Sequence, residues 1–170
     1  MLIFLIGMPG SGKSILGKAL AAELHCNLID LDQYIVQKEK LSIPNIFKTK
    51  GEEYFRKAET SALKEIIEKN KKGVVAAGGG TPCYNNNIEI MQTGAQCVYL
   101  RVSINTLAER IENDTQERPL FHKLNGRKLK EKLTSMLQHR EKFYQKALIS
   151  FEAEGKAPEV FAKQLAGLLK

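Results

Sequence analysis

The sequence has no tryptophan, only three cysteines and no long apolar run. The cysteines, Cys26, Cys83 and Cys97, are odd in number and lack the spacing of metal or redox pairs, so we expect a reducing, cytoplasmic setting. Because no apolar stretch approaches the ~20 residues that cross a bilayer, we expect no membrane partner. The opening MLIFLIGMPG has no basic segment before its apolar run, so a secretory signal is not expected either.

Positive charge is in excess, and it is concentrated in one segment. The net charge is +7, and residues 121–146 hold eight Lys and Arg against two Glu, which is nearly the whole excess. Such a segment attracts nucleotide phosphates, an acidic substrate or nucleic acid, unless it is only a solvated helix face. No basic motif interleaved with aromatics and no helix-turn-helix pattern is present, so we expect no nucleic-acid partner.

Apolar runs and helical patterns alternate along residues 1–170, which predicts one α/β domain. Near-continuous apolar strands are typical of a parallel sheet covered on both faces, so we expect a three-layer α/β/α architecture with five parallel strands. The expected strands are 2–6, 27–32, 73–80 with a glycine loop at its end, 95–102 and 147–153. The expected helices are 13–24, 42–48, 52–70, 105–113, a basic helix ending near 146, and 158–169.

The segment GMPGSGKS, Gly7–Ser14, lies between the first strand and the first helix. It fits the pattern G-x-x-x-x-G-K-[ST], in which backbone N–H groups and the helix N-terminus bind phosphate oxygens. In this interpretation Lys13 contacts the β- and γ-phosphates, and the Ser14 hydroxyl is a ligand of Mg²⁺. The alternative is a plain Gly/Ser turn before a helix.

Two further segments follow predicted strands, namely Asp30–Asp32 and Gly78–Gly80. In a parallel sheet they should meet Gly7–Ser14 at the carboxyl edge, where ligands bind. If Asp30 and Asp32 both lie on the strand, their side chains point the same way, so one carboxylate can hold Mg²⁺ through water and the other can orient or deprotonate an acceptor hydroxyl. Alternatively, Asp32 only caps the next helix.

Three arginines are candidates for binding anionic groups. Arg56 and Glu59 are three residues apart on a predicted helix and can pair, which would fix the guanidinium for a carboxylate, although a surface ion pair is the commoner result of this spacing. Arg118 lies in a polar segment that resembles a mobile lid and can reach the transferring phosphoryl group. Arg140, on the basic helix, can face a carboxylate. Alternatively, Arg118 and Arg140 are both ordinary solvated surface residues.

In this order and spacing, GMPGSGKS, DLD, GEEYFRKAE, GGG, ERPLF and HREKFY resemble the shikimate kinase family over nearly the whole chain. The resemblance implies a P-loop NTPase fold similar to nucleoside monophosphate kinases, with a mobile lid near 112–125 and a shikimate-binding region near 32–60. It also implies transfer of a phosphoryl group from Mg²⁺–ATP to the 3-hydroxyl of shikimate, in aromatic amino-acid biosynthesis.

The resemblance assigns roles residue by residue. Lys13, Asp32 and Arg118 would be catalytic, and Mg²⁺ would be held by Ser14 and, through water, by Asp30. The expected nucleotide contacts are Gly10, Ser11, Gly12, Lys13, Ser14, Ile15, Arg110, Arg118 and Pro158. The expected shikimate contacts are Asp32, Arg56, Gly78, Gly79, Gly80 and Arg140.

The sequence departs from the family where Ala77 precedes GGG, since many members have a hydroxyl residue there.

Two other functions stay open, a P-loop kinase of another hydroxy acid such as gluconate and, in a different class, a nucleotide-dependent nucleic-acid binder. The Arg56 and Arg140 pair favours shikimate over gluconate. A monomer is expected because no apolar seam is evident in the sequence.

Overall fold

The apolar run at the start of the chain forms the central strand of a parallel sheet. The computed structural model describes residues 1–114, 121 and 123–169, and the sheet has the order β2-β3-β1-β4-β5 with every pair parallel. The strands are β1 Leu2–Ile6, β2 Leu28–Asp30, β3 Gly73–Ala76, β4 Ala95–Arg101 and β5 Ile149–Glu152. The helices are α1 Lys13–Glu23, α2 Leu31–Glu39, α3 Ile43–Lys69, α4 Asn87–Gly94, α5 Ile104–Glu112, α6 Gly126–Tyr144 and α7 Pro158–Leu168, with a 3₁₀ turn at Thr81–Cys83.

The two faces of the sheet pack against different helices. Side chains alternate along a strand, so Ile3 and Leu5 of β1 join a core with Leu16 of α1 and Leu165 of α7. The other β1 side chains, Leu2, Phe4 and Ile6, belong to a second core with residues of α2 to α6. The predicted three-layer α/β/α architecture is therefore confirmed.

Helix α3 contains a break at Gly51, whose φ of 83° and ψ of 170° are not helical. The helices predicted at 42–48 and 52–70 are thus both present and are joined through this residue. A positive φ of this size favours glycine, because a Cβ would be strained there. Ser42 begins the element by accepting a hydrogen bond from the N–H of Asn45, as a helix cap does.

Two predictions need correction near the ligand edge. The second strand does not extend to residue 32, because it ends at Asp30 and α2 begins at Leu31. The carboxylate of Asp30, and not that of Asp32, caps α2 by accepting the N–H of Gln33. No helix is expected from the sequence at residues 81–94, where the structure has the 3₁₀ turn and α4.

Among the helices of the described ranges, none combines the length and apolar character that crossing a membrane requires.

Candidate active site

The loop between β1 and α1 has the shape of a phosphate-binding cradle. Gly7, Gly10 and Gly12 all have positive φ, at 143°, 81° and 88°. Gly12 precedes α1 without any side-chain cap, so the first N–H groups of the helix face the loop. The Lys13 ammonium donates to the carbonyl oxygens of Gly7 at 3.0 Å and Met8 at 2.9 Å, which places its charge inside the loop.

The mouth of the cradle carries a hydroxyl and a carboxylate side by side. Ser14 Oγ donates to Asp30 Oδ2 at 3.1 Å, while the other oxygen of Asp30 caps α2. Oxygen atoms of this kind are the ligands that Mg²⁺ prefers, and Mg²⁺ in phosphoryl-transfer sites usually keeps waters between itself and one or two carboxylates. The donor set therefore fits the expected magnesium site.

Asp32 lies in the first turn of α2 and is the most perturbed carboxyl group of the site. Burial, together with the negative charges of Asp30 and Glu59, raises its pKa from the ordinary 3.8 to about 6, although Lys13 and Arg56 lower it. These opposing effects show that Asp32 lies within electrostatic reach of both the cradle lysine and the candidate substrate arginine. The structure thus brings together groups that are far apart in sequence.

Arg56 is held on several sides. Its guanidinium contacts Glu59 at 2.6 Å and Glu52 at 3.1 Å, and it lies 4.0 Å from the ring centre of Tyr84. Burial opposes the charged form, but these carboxylates prevail and the pKa of Arg56 is raised. Glu59 is only 1% exposed and also accepts a hydrogen bond from Thr81 Oγ1 at 2.6 Å, so this is not an ordinary surface ion pair.

The glycine loop after β3 packs tightly against both halves of the site. A Cβ at Gly80 would lie 3.1 Å from Arg56 Nη1, and one at Gly78 would lie 3.0 Å from Asp32 Oδ1. A Cβ at Gly79 would lie 2.9 Å from Pro9 Cδ in the cradle. Side chains at these positions would therefore displace the groups that the loop brings together.

Arg140 reaches the same pocket from α6. Its charge lowers the pKa of Cys83, as does that of Arg56, so the thiol lies near both guanidinium groups. Burial nevertheless dominates and raises the pKa of Cys83 to about 11, which keeps this thiol neutral near pH 7. Burial raises the pKa of the Tyr144 hydroxyl, one turn along the same helix, and the charge of Arg140 lowers it, so these two groups are also near one another.

Arg110, the arginine expected at the nucleotide, contacts the cradle at Gly10 and lies close to Gly12. It donates to the carbonyl oxygens of Gly10 at 3.4 Å and Ala153 at 3.1 Å. Pro158 begins α7 after the loop that follows Ala153, and Ile15 is exposed in the first turn of α1. Arg118 and half of the lid predicted at 112–125, namely residues 115–120 and 122, lie outside the described residues.

Sequence reasoning missed three side chains that complete the pocket, namely Thr81, Tyr84 and Tyr144. Thr81 follows GGG directly, and Tyr144 lies four residues after Arg140 and so on the same helix face, a spacing that the sequence does contain. Tyr84 has no comparable signal, because its contact with Arg56 depends on how the loop folds back on α3.

The family model described as shikimate kinase matches residues 9–169. The chain belongs to the shikimate kinase family. A curated shikimate kinase from Azobacteroides pseudotrichonymphae genomovar. CFP2 is 42% identical over 149 residues, 88% of each chain. Members of this family use ATP and Mg²⁺, so the chain is an enzyme, a kinase, with these cofactors.

Solved structures of the family superpose closely. Shikimate kinase from Bacteroides thetaiotaomicron gives a TM-score of 0.93 at 34% identity and covers 99% of this chain and 98% of its own. Shikimate kinase from Acinetobacter baumannii, solved in complex with shikimate, gives 0.88 at 30% identity and covers 99% and 92%. A gluconokinase from Sinorhizobium meliloti 1021 gives only 0.55 at 18% identity over 98% and 94%, so it shares the fold alone.

Proposed function

We propose that this kinase transfers the γ-phosphoryl group of ATP to the 3-hydroxyl of shikimate, giving shikimate 3-phosphate and ADP. The observation that carries the proposal is that Asp32 lies within electrostatic reach of both Lys13 in the cradle and Arg56 in the acceptor pocket. Shikimate is a small triol carboxylate, and the pocket offers arginines for a carboxylate and an aspartate for hydroxyls. The relative from Acinetobacter baumannii, which binds shikimate, supports the same substrate.

The acceptor is oriented at both ends. Arg56 and Arg140 bind the carboxylate, because planar guanidinium groups match its geometry, and the backbone of Gly78 to Gly80 lies against the ring. Asp32 accepts the hydrogen bond of the reacting hydroxyl. Since the pKa of Asp32 is about 6, its carboxylate is ionised at neutral pH and is close to the range in which a base works best.

The donor is held by the cradle. Lys13 and the N–H groups of Gly10 to Gly12 stabilise the phosphate oxygens, and Arg110 with Pro158 flanks the adenine. Ser14 and, through water, Asp30 hold Mg²⁺, which when bound neutralises charge on the phosphate oxygens. Arg118, proposed on sequence grounds alone, contacts the phosphates when the lid closes and helps to exclude water.

Activity across a panel of hydroxy acids tests this function. With Mg²⁺–ATP and an assay of ADP release, we expect turnover with shikimate and at most trace turnover with gluconate. Robust turnover of gluconate with none of shikimate would overturn the proposal. Retention on DNA that falls steeply with salt would instead favour the nucleic-acid alternative.

We also propose that the chain acts as a monomer in the cytoplasm. Its three cysteines are free, which suits a reducing compartment. The expected result in size-exclusion chromatography with light scattering is a mass near 19.1 kDa. A mass twice as large at micromolar concentration would contradict the monomer without affecting the proposed reaction.

A further inference from the structure

Tyr144, at the end of α6, is a polar side chain in the middle of the core. It is 0% exposed, and its hydroxyl donates to the carbonyl oxygen of Gly79 at 2.5 Å. The same hydroxyl lies 3.9 Å from the sulfur of Met8 in the phosphate cradle. One buried hydroxyl thus contacts the glycine loop and the cradle, which are separated by about seventy residues in sequence.

The bond to Gly79 controls the direction of a substrate-facing peptide. A peptide unit is planar and trans, so its C=O and the N–H of the next residue point to opposite sides. When Tyr144 holds the Gly79 carbonyl, the N–H of Gly80 is held as well. Gly80 is the residue at which a Cβ would lie 3.1 Å from Arg56 Nη1, so this peptide borders the guanidinium.

The same hydroxyl also connects to the second arginine. Arg140 and Tyr144 are four residues apart on α6 and therefore lie on one face of the helix. The charge of Arg140 lowers the pKa of the Tyr144 hydroxyl, although burial of the hydroxyl raises it, so the guanidinium lies near this hydroxyl. The group that holds the glycine loop is therefore also a neighbour of Arg140.

We propose that Tyr144 is a positioning residue for the acceptor substrate, fixing the Gly79–Gly80 peptide and the Arg140 guanidinium in one arrangement through its hydroxyl. It acts through these two groups and is not itself a catalytic residue. The inference rests on the proposed function, because it assigns both groups to shikimate. A phenylalanine would fill the same space, so the hydroxyl is the feature under test.

The test compares Tyr144→Phe with Tyr99→Phe. Tyr99 is also buried, and its ring lies 5.0 Å from that of Tyr144, so the control removes a neighbouring hydroxyl from the same cluster. For Tyr144→Phe we expect the KM for shikimate to rise about tenfold, as for loss of one buried hydrogen bond. The KM for ATP should stay within about twofold, since the hydroxyl meets the cradle at the weakly accepting sulfur of Met8, 3.9 Å away, and Met8 is not among the groups proposed to bind phosphate.

Two further measurements distinguish a positioning role of Tyr144 from a purely structural one. The amide signal of Gly80 in a ¹⁵N-labelled chain should move in Tyr144→Phe and not in Tyr99→Phe, with no substrate present. The rise in the KM for shikimate on Tyr144→Phe should also be smaller when Arg140 is already replaced by Ala, because the effects of two substitutions that act on the same arrangement do not add.

Each outcome bears on the inference. An unchanged shikimate KM in Tyr144→Phe, or equal changes in both tyrosine variants, would overturn it even if the Gly80 signal moves. If the unaltered chain does not phosphorylate shikimate, the proposed function fails, and the inference fails with it. Normal turnover by the unaltered chain with an unchanged KM in Tyr144→Phe overturns the inference alone.

Discussion

The phosphate cradle and the acceptor pocket are built in opposite ways. The cradle is one continuous segment, Gly7–Ser14, whose backbone N–H groups and glycine geometry form the binding surface. The proposed acceptor pocket is assembled from side chains of α2, α3, α6 and the loop after β3. The comparison indicates that substitutions in the cradle should abolish transfer, while those in the pocket should divide into effects on chemistry and effects on substrate affinity.

The largest expected effect is that of Lys13→Ala. Lys13 is the only charged residue of Gly7–Ser14, and its ammonium lies inside the loop. Its loss should lower kcat about 10³-fold, because the negative charge that develops on the transferring phosphoryl group is then no longer stabilised by this cation. Steady-state kinetics with shikimate and ATP measure the effect, and circular dichroism checks the fold. Lys18→Ala, an exposed position on the same helix, is the matched control and should be neutral.

Asp32→Asn should come next, with kcat lowered about 10²-fold. An amide cannot accept the proton of the reacting hydroxyl, although its size is unchanged. In the unaltered chain kcat/KM should fall as the pH drops through about 6, because protonation of Asp32 has the same consequence. Near-normal turnover by Asp32→Asn would remove Asp32 from the mechanism.

Arg140→Ala should act mainly on binding. We expect the KM for shikimate to rise about 10- to 100-fold, as for loss of a charged hydrogen bond, with kcat changed far less because the carboxylate is remote from the reacting hydroxyl. Arg127→Ala is the control on the same helix, since that side chain is 91% exposed and pairs only with Glu131 among the described residues. A fall in kcat with an unchanged KM would place Arg140 at the phosphates instead.

The smallest expected effect is on the free energy of unfolding, which Asp32→Asn should increase although it lowers activity. Because the folded chain raises the pKa of Asp32 to about 6, folding is favoured by protonation, and this contribution is lost as the pH rises from about 4 through 6. At pH 7.5 Asp32→Asn should therefore stabilise the fold by about 1 to 3 kcal/mol, and by less at pH 5. Urea unfolding of both proteins at pH 7.5 and pH 5 measures this difference in stability. A stabilisation by Asp32→Asn that is equally large at pH 5 would contradict the raised pKa of Asp32.

The same contrast explains what the sequence could predict. The cradle was predictable down to single residues because a local motif specifies backbone geometry. The three layers followed from apolar strands that alternate with helices. The pairing of Arg56 with Glu59 was predicted from helical spacing, but the burial that makes it part of the site depends on Thr81 and the glycine loop.

The structure corrects the predicted setting of Asp32. The sequence predicts Asp32 on a strand with Asp30, whereas the strand ends at Asp30 and Asp32 lies in the first turn of α2. Two residues apart across a strand-to-helix junction, the carboxylates still influence each other, as the raised pKa of Asp32 indicates. The contacts of Tyr144 and Tyr84 could not be predicted, because they depend on how distant elements pack.

Calorimetric titration of two variants with each ligand tests most directly whether two separate subsites share one edge of the sheet. We expect Lys13→Ala to bind shikimate nearly as well as the unaltered chain while losing Mg²⁺–ATP affinity, and Arg140→Ala to show the reverse. Equal loss of both ligands in both variants, or no binding of shikimate to the unaltered chain, would contradict the account.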